Sequence, residues 1–324
     1  MSPTPGMKET GWLEFKYRNT GEPIRFPVGT LYGGAGDGPT LVVVGGMHGS
    51  EFAGIEAAIR IFNEVDPARL RGTLKVCMIY NLPAFVNHLG FVVPHDGKNP
   101  STTFPGSPIG TYGEAMAYYF DQELLSKADA MVELHGGDIP EALTPFVIAP
   151  VTGTEALDAR IREMAVAYNI PIIAARKMPD PARPPVRSAF GVTALRGKPA
   201  MLVESGQQGI LNMAEVETHL IGLRNVLIHL GMLPGQVVNT VKRLFSEEHM
   251  AIRSEQAGMW YPAVKITDWV KAGQVVGHIR DYFGSPLSEV KAVSDGIVTV
   301  VRTSPAVAAG NVLLEEDRIT SREE

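Results

Sequence analysis

The stretch that most constrains the chain is Leu41-Val42-Val43-Val44-Gly45-Gly46-Met47-His48-Gly49-Ser50-Glu51-Phe52-Ala53-Gly54. Four branched apolar residues predict a buried strand, and paired glycines let the backbone leave it sharply. Ser50 is placed to N-cap a helix running through Ile55, Ala58, Ile59 and Phe62. His48 and Glu51, three residues apart at this corner, can aim their side chains at one point beyond the strand's C-terminal end. An imidazole and a carboxylate held in that way are two members of the His2Glu set of catalytic zinc sites. The bland alternative is a helix-capping glutamate beside a solvated histidine, and the rest of the chain weighs against it.

Strands and helices then alternate. Strands are expected at 41–46, 74–80, 130–134, 145–149, 170–176 and 200–204, and helices at 52–63, 113–126, 154–168 and about 213–231. Before them, Trp12–Tyr17 and Ile24–Val28 read as short lead-in strands. This pattern predicts an α/β fold over residues 1–239: a mixed, mainly parallel sheet with helices on both faces. Two proline-rich stretches, 81–112 and 178–191, lack periodicity and read as active-site loops. From residue 240 the texture changes to short strands and frequent glycines. Two related segments, Ala263–Gly277 and Ser294–Leu313, are similar to the flattened sandwich of biotinyl/lipoyl carrier domains. The expected hairpin tip, Ala292-Val293-Ser294-Asp295-Gly296, has no lysine to carry a cofactor. Residues 240–324 are therefore expected to form an all-β sandwich that supports the fold or shields substrate.

In open α/β sheets ligands gather beyond the C-terminal ends of strands. His135, after Val132-Glu133-Leu134 and before Gly136-Gly137, falls at that edge, as do His48 and Glu51. His135 completes a His2Glu set. Glu204, ending the strand Ala200–Glu204, supplies a carboxylate that can take a proton from an attacking water and pass it to a departing amine. Glu133 is the weaker candidate for that base, since alternation is expected to turn it away from His135's neighbours.

Composition sets the class of partner. A net charge of −6 across 324 residues argues against a nucleic-acid or anionic-membrane binder. No apolar run approaches the ~18 residues of a membrane span. Met1-Ser2-Pro3-Thr4-Pro5 has no apolar signal core, so a cytoplasmic protein is expected. Cys77, the single cysteine, is read as core packing. A homo-oligomer is compatible with the sequence.

The motifs Gly45-Gly46-Met47-His48-Gly49-Ser50-Glu51, Leu134-His135-Gly136-Gly137 and Val203-Glu204-Ser205-Gly206 resemble those of the succinylglutamate desuccinylase/aspartoacylase family. Gly222-Leu223-Arg224-Asn225-Val226-Leu227 in the closing helix and the C-terminal β region match as well. The resemblance covers about residues 35–315. It implies a zinc carboxypeptidase-like fold, one zinc on His48, Glu51 and His135, Glu204 as general base, and hydrolysis of an N-acyl bond. The look is nearest to ectoine-pathway deacetylases, which carry Asn-Leu-Asn-Arg before Phe-Pro-Gly and another arginine upstream. Here Ser101 and Thr102 stand where Asn and Arg would be, and Phe91 lies near the upstream position. A bidentate clamp on a substrate carboxylate is thereby missing. Substrate contacts could instead come from His95, Lys98, Asn99, Ser101, Thr102, Arg183 and Arg187. Two rival readings stay open: a metallo-carboxypeptidase on short peptides, and a metal-retaining protein that binds without catalysis.

Overall fold

The computed structural model describes residues 4–178 and 187–323. A hairpin of β1 (Met7–Lys16) and β2 (Pro23–Tyr32) leads into β3 (Thr40–Val44) and α1 (Phe52–Glu64). Then come β4 (Thr73–Cys77), the short α2 (Leu82–Val86), α3 (Tyr112–Glu123) and β5 (Ala130–His135). The N-terminal half closes with β6 (Glu141–Leu143), β7 (Phe146–Val151), α4 (Glu155–Ala167), β8 (Ile172–Lys177), α5 (Ala189–Leu195), β9 (Ala200–Glu204) and α6 (Met213–His229). Strands alone follow among the described residues: β10 (Leu244–Arg253), β11 (Gly258–Pro262), β12 (Trp269–Val270), β13 (Val275–Arg280), β14 (Pro286–Lys291), β15 (Gly296–Arg302), β16 (Ala306–Val307) and β17 (Val312–Arg322).

One 13-stranded sheet runs β1-β2-β4-β3-β5-β9-β7-β8-β10-β17-β15-β12, with β6 joined to β15. The architecture is mixed α/β, and the description "mainly parallel" needs correction. Parallel pairing is confined to β4-β3-β5-β9 and β7-β8-β10; β7 meets β9 antiparallel, and both ends of the sheet are antiparallel. The reason is connectivity. Only strands returned by a crossover helix can run parallel, whereas hairpins reverse direction. Helices cover both faces: α1 and α4 pack with α6, while α5 packs on β5 and β9.

The C-terminal strands are stitched to the N-terminal sheet rather than standing apart. β10 continues it beside β8, with Leu244 opposite Ile172, and β6 of the N-terminal half pairs with β15. Leu143, Phe146, Ile172, Ile297 and Val300 form an apolar cluster at this seam. A second core, including Trp260, Val276, Ile279, Val298 and Leu313, lies between those strands and a four-stranded sheet, β14-β13-β11-β16. Cys77 is fully buried in the main core, where burial pushes its thiol pKa up. Two short elements had no sequence signal. β6 is three residues long, and α5 begins inside a stretch that reads as loop, with Ser188 Oγ accepting from Gly191 N at its start (3.2 Å).

Gly222 shows why α6 needs its small residue. A Cβ there would lie 2.2 Å from the buried Tyr168 ring. Alanine raises helix propensity, yet the ring has no space into which to retreat. Gly222→Ala is expected to cost about 1–3 kcal/mol, read as a lower denaturant midpoint.

Candidate active site

The strand ends do the positioning. In-register pairing sets Val44 beside Glu133 and His135 beside Glu204, so β3, β5 and β9 finish at one edge. Gly46 takes a φ of +64°, a left-handed turn that swings the chain back over the strand end toward His48. Glu51, not Ser50, occupies the N-cap position before α1, and its side chain makes no capping hydrogen bond. Ser50 Oγ donates to buried Asp138, which also accepts from Phe91 N at 2.8 Å. This pins three loops together behind the site.

His48, Glu51 and His135 are buried, and one donor atom from each lies within 4.8 Å of the others. His48 Nδ1 is 2.5 Å from Glu51 Oε1, and His135 Nδ1 is 3.0 Å from Glu51 Oε2. The far nitrogens have their own partners: His48 Nε2 lies 3.2 Å from Asn99 Oδ1, and His135 Nε2 lies 3.0 Å from Glu133 Oε1. Acceptors at both Nε2 atoms favour the tautomer that leaves Nδ1 free to ligate. Glu133 is therefore not turned away, as the sequence reading expected. Positions two apart on a strand share a face, so Glu133 sits directly under His135 and holds its ring. Its other oxygen accepts from Phe190 N of α5 (3.1 Å).

Electrostatics mark the same cluster. Burial opposes charge on His135, but Glu51 and Glu133 outweigh it and raise its pKa well above the usual value. Burial likewise opposes ionisation of Glu51, and the two histidines overcome it and hold the carboxylate low. Glu204 Oε2 is buried without a hydrogen-bond partner among the described residues. A carboxylate set between two inward Nδ1 atoms, with an unserved carboxylate oxygen of Glu204 at the same strand ends, suits a bound cation. Glu204 has its pKa raised well above the ordinary range, first by burial, with Glu51, Glu141 and Glu315 adding to the rise against His135.

His219 of α6 had no sequence signal, because one polar residue in a mostly apolar helix carries no motif. It is fully buried, and its Nε2 lies 3.0 Å from both His135 O and Ser205 O, while Tyr168 Oη lies 2.9 Å from Nδ1. It ties β5 to β9 just where His135 and Glu204 emerge. Burial lowers its pKa from 6.5 to about 4, against the pull of the two carbonyls. The unfolded chain then takes up a proton before the folded one does. Stability contributed by His219 is full above about pH 6.5 and is lost as pH falls toward 4, by up to about 3 kcal/mol. Urea midpoints of the metal-free protein should show this loss, and His219→Gln should fall less over the same range.

Of the other candidates, Asn99 and Ser101 reach the site. Ser101 Oγ is 3.4 Å from His48 Nε2, and Asn99 Oδ1 also accepts from Ser101 N (2.8 Å). Phe91 sets its ring edge-on to His48, 5.3 Å between centroids, so this wall is uncharged. His95 stacks on Tyr112 at 3.7 Å, and Lys98 Nζ is held by Glu114 at 2.8 Å. Thr102 Oγ1 donates to Asn99 O, and Arg187 is exposed, its carbonyl accepting from Phe104 N (2.9 Å). Arg183 lies outside the described residues.

Residues 37–230 match the succinylglutamate desuccinylase/aspartoacylase catalytic domain. The chain belongs to the succinylglutamate desuccinylase/aspartoacylase family. It is accordingly a hydrolase of amide bonds. It is 27% identical over 285 residues to N-alpha-acetyl-L-2,4-diaminobutyric acid deacetylase of Halomonas elongata, covering 86% of this chain and 82% of the relative. Among solved structures, the Rhodobacter sphaeroides family member has a TM-score of 0.85 at 22% identity, covering 97% and 96% of the two chains. The product-bound ectoine utilization protein EutE of Ruegeria pomeroyi gives 0.84 at 25% identity, covering 96% and 94%. No helix among the described residues is long and apolar enough to cross a membrane.

Proposed function

We propose that this family member is a zinc-dependent deacylase that hydrolyses the N-acyl amide of a small amine or amino-acid derivative. The observation that carries the reading is the convergence of His48 Nδ1, His135 Nδ1 and the Glu51 carboxylate at one sheet edge, with the buried Oε2 of Glu204 at the same edge. His48, Glu51 and His135 would hold the metal. A zinc ion bound there supplies a Lewis acid that acidifies water and polarises the amide carbonyl. Glu204 takes the proton from the attacking water and delivers it to the departing nitrogen. Its raised proton affinity suits a group that must both accept and donate near neutral pH. Asn99 and Glu133 hold the histidine rings, and the walls around His48 limit bulk water.

The Halomonas elongata relative is a deacetylase by name, which supports removal of a short acyl group. The uncharged wall of Phe91, Asn99 and Ser101, with Lys98 engaged by Glu114, gives no support to a carboxypeptidase, which needs an anchor for a terminal carboxylate. The reading keeps residues 1–239 as the catalytic unit and 240–324 as a unit that supports the fold or shields substrate, in a cytoplasmic enzyme.

Metal analysis with an N-acyl panel tests this. The panel holds N-acetyl amino acids and their amides and esters without a free carboxylate. About one zinc per chain with cleavage of at least one member is the expected result. Absence of metal after reconstitution overturns it.

A further inference from the structure

The large sheet ends differently at its two edges. β12, at one end, is two residues long, whereas β1, at the other, runs for ten. A long edge strand presents a row of backbone donors and acceptors, and proteins ordinarily blunt it with a proline, a bulge or brevity. β1 uses none of these: Met7–Lys16 contains no proline and pairs with β2 without a register shift. Among the described residues no strand lies on its outer side. Trp12 and Met7 are 59% and 46% exposed along it. The strand does carry charges of both signs, and their order is informative.

Tyr17 N, just past β1, donates to Glu22 O (2.8 Å), and Tyr17 continues the β1–β2 register. Alternation then turns the N–H and C=O groups of Glu9, Gly11 and Leu13 toward β2, and those of Lys8, Thr10, Trp12 and Glu14 outward. A second β1 can join this edge only through the same outward residues, and a twofold axis between the copies makes the pairing antiparallel. The longest registers that satisfy this centre on Gly11 or on Trp12. Centred on Trp12, Lys8 meets the partner's Lys16, and the symmetry makes that like-charge contact twice. Centred on Gly11, Lys8 meets the partner's Glu14, Thr10 the partner's Trp12 and Met7 the partner's Phe15, with no like charges opposed. Lys8 Nζ donates to Phe62 O (2.9 Å) and Asn63 O (2.7 Å), which leaves one of three ammonium donors for that carboxylate.

We propose that β1 is a self-association edge. It pairs antiparallel with β1 of a second copy of this chain about a twofold axis at Gly11, so that two large sheets become one. Lys8, Thr10, Trp12 and Glu14 gain backbone partners, and the exposed indole of each copy lies diagonally across from the other. The inference is independent of the deacylase reading, since the site described above draws no residue from β1.

Sedimentation equilibrium of the full chain should give twice the monomer mass at about 100 µM, with a dissociation constant of about 10 µM or lower. Thr10→Pro removes an outward N–H at an edge position where proline is tolerated, and should raise that constant by about tenfold or more. Gly11→Cys reports the register. A Cβ at Gly11 meets nothing within 4 Å, so the substitution fits the monomer, and the fully buried Cys77 does not compete. Residues facing each other in a non-hydrogen-bonded antiparallel pair are close enough for a disulfide, so oxidation with diamide should convert Gly11→Cys to a reducible covalent dimer. Thr10→Cys and Trp12→Cys, displaced from the axis, should stay largely monomeric in denaturing gels after the same treatment. If Thr10→Pro fails to fold, the cysteine variants decide. A wild type that stays monomeric at about 100 µM overturns the proposal, as does a dimer that Thr10→Pro leaves intact or that cross-links through Trp12→Cys in preference to Gly11→Cys.

Discussion

Replacing Glu204 by glutamine should lower kcat by about 10²–10⁴-fold, the range for removing a positioned general base. The amide has nearly the shape of the carboxylate but cannot hold the proton in transit. Glu204 ends β9 opposite His135, and its Oε2 is buried with no hydrogen-bond partner among the described residues. KM should change far less than kcat, because the interaction removed is made in the transition state. Zinc content should be unchanged, since the three donor atoms lie on other residues. Steady-state kinetics with metal analysis of the same preparation checks this. Activity within a few-fold of wild type would remove Glu204 from the mechanism and leave Glu133 as the next carboxylate to examine.

Substituting His48 or His135 by alanine should abolish retained zinc and, with it, turnover. Each variant leaves two of three converging donors, and Glu51 loses one of the histidines that keep its carboxylate ionised against burial. Gel-filtered protein analysed for metal should fall from about one zinc per chain to background. Thermal unfolding gives a second readout. Ligand linkage predicts that zinc at about 1,000 times its dissociation constant stabilises the wild type by about 4 kcal/mol. In His135→Ala the melting temperature should not respond to zinc. A variant that keeps its metal through gel filtration would show that these side chains are not the ligands.

Much of the catalytic half could be read from periodicity because its signals are local. The apolar run Leu41–Val44, the glycine pair after it and the amphipathic helix following Phe52 each act within a few residues. β5 and β9 were legible in the same way, down to the positions at which His135 and Glu204 emerge. Where an element is short, that logic has little to work on. β6 buries one residue of three, and α5 spans two turns after a proline-rich stretch of sequence, so neither shows a period. Glu133 illustrates a different failure. Two-residue alternation puts it on His135's own face, where it takes up the ring's far nitrogen.

What the sequence determined by itself was the donor set and its setting: His48 with Glu51 at one strand-to-helix corner, and His135 and Glu204 at two further strand ends. Side-chain alternation and turn chemistry act along the chain, so they fix which residues leave each strand and on which side. Only the tertiary structure decided what meets them. Asn99 reaches His48 across 51 residues, and His219 reaches His135 across 84. The C-terminal strands join the sheet through the pairing of β8 with β10 and of β10 with β17. Which strands become neighbours depends on the burial of shared apolar faces, such as the cluster joining Leu143 and Ile172 to Ile297 and Val300. That free energy is gained only when distant segments pack together, so no pattern within one segment can record it.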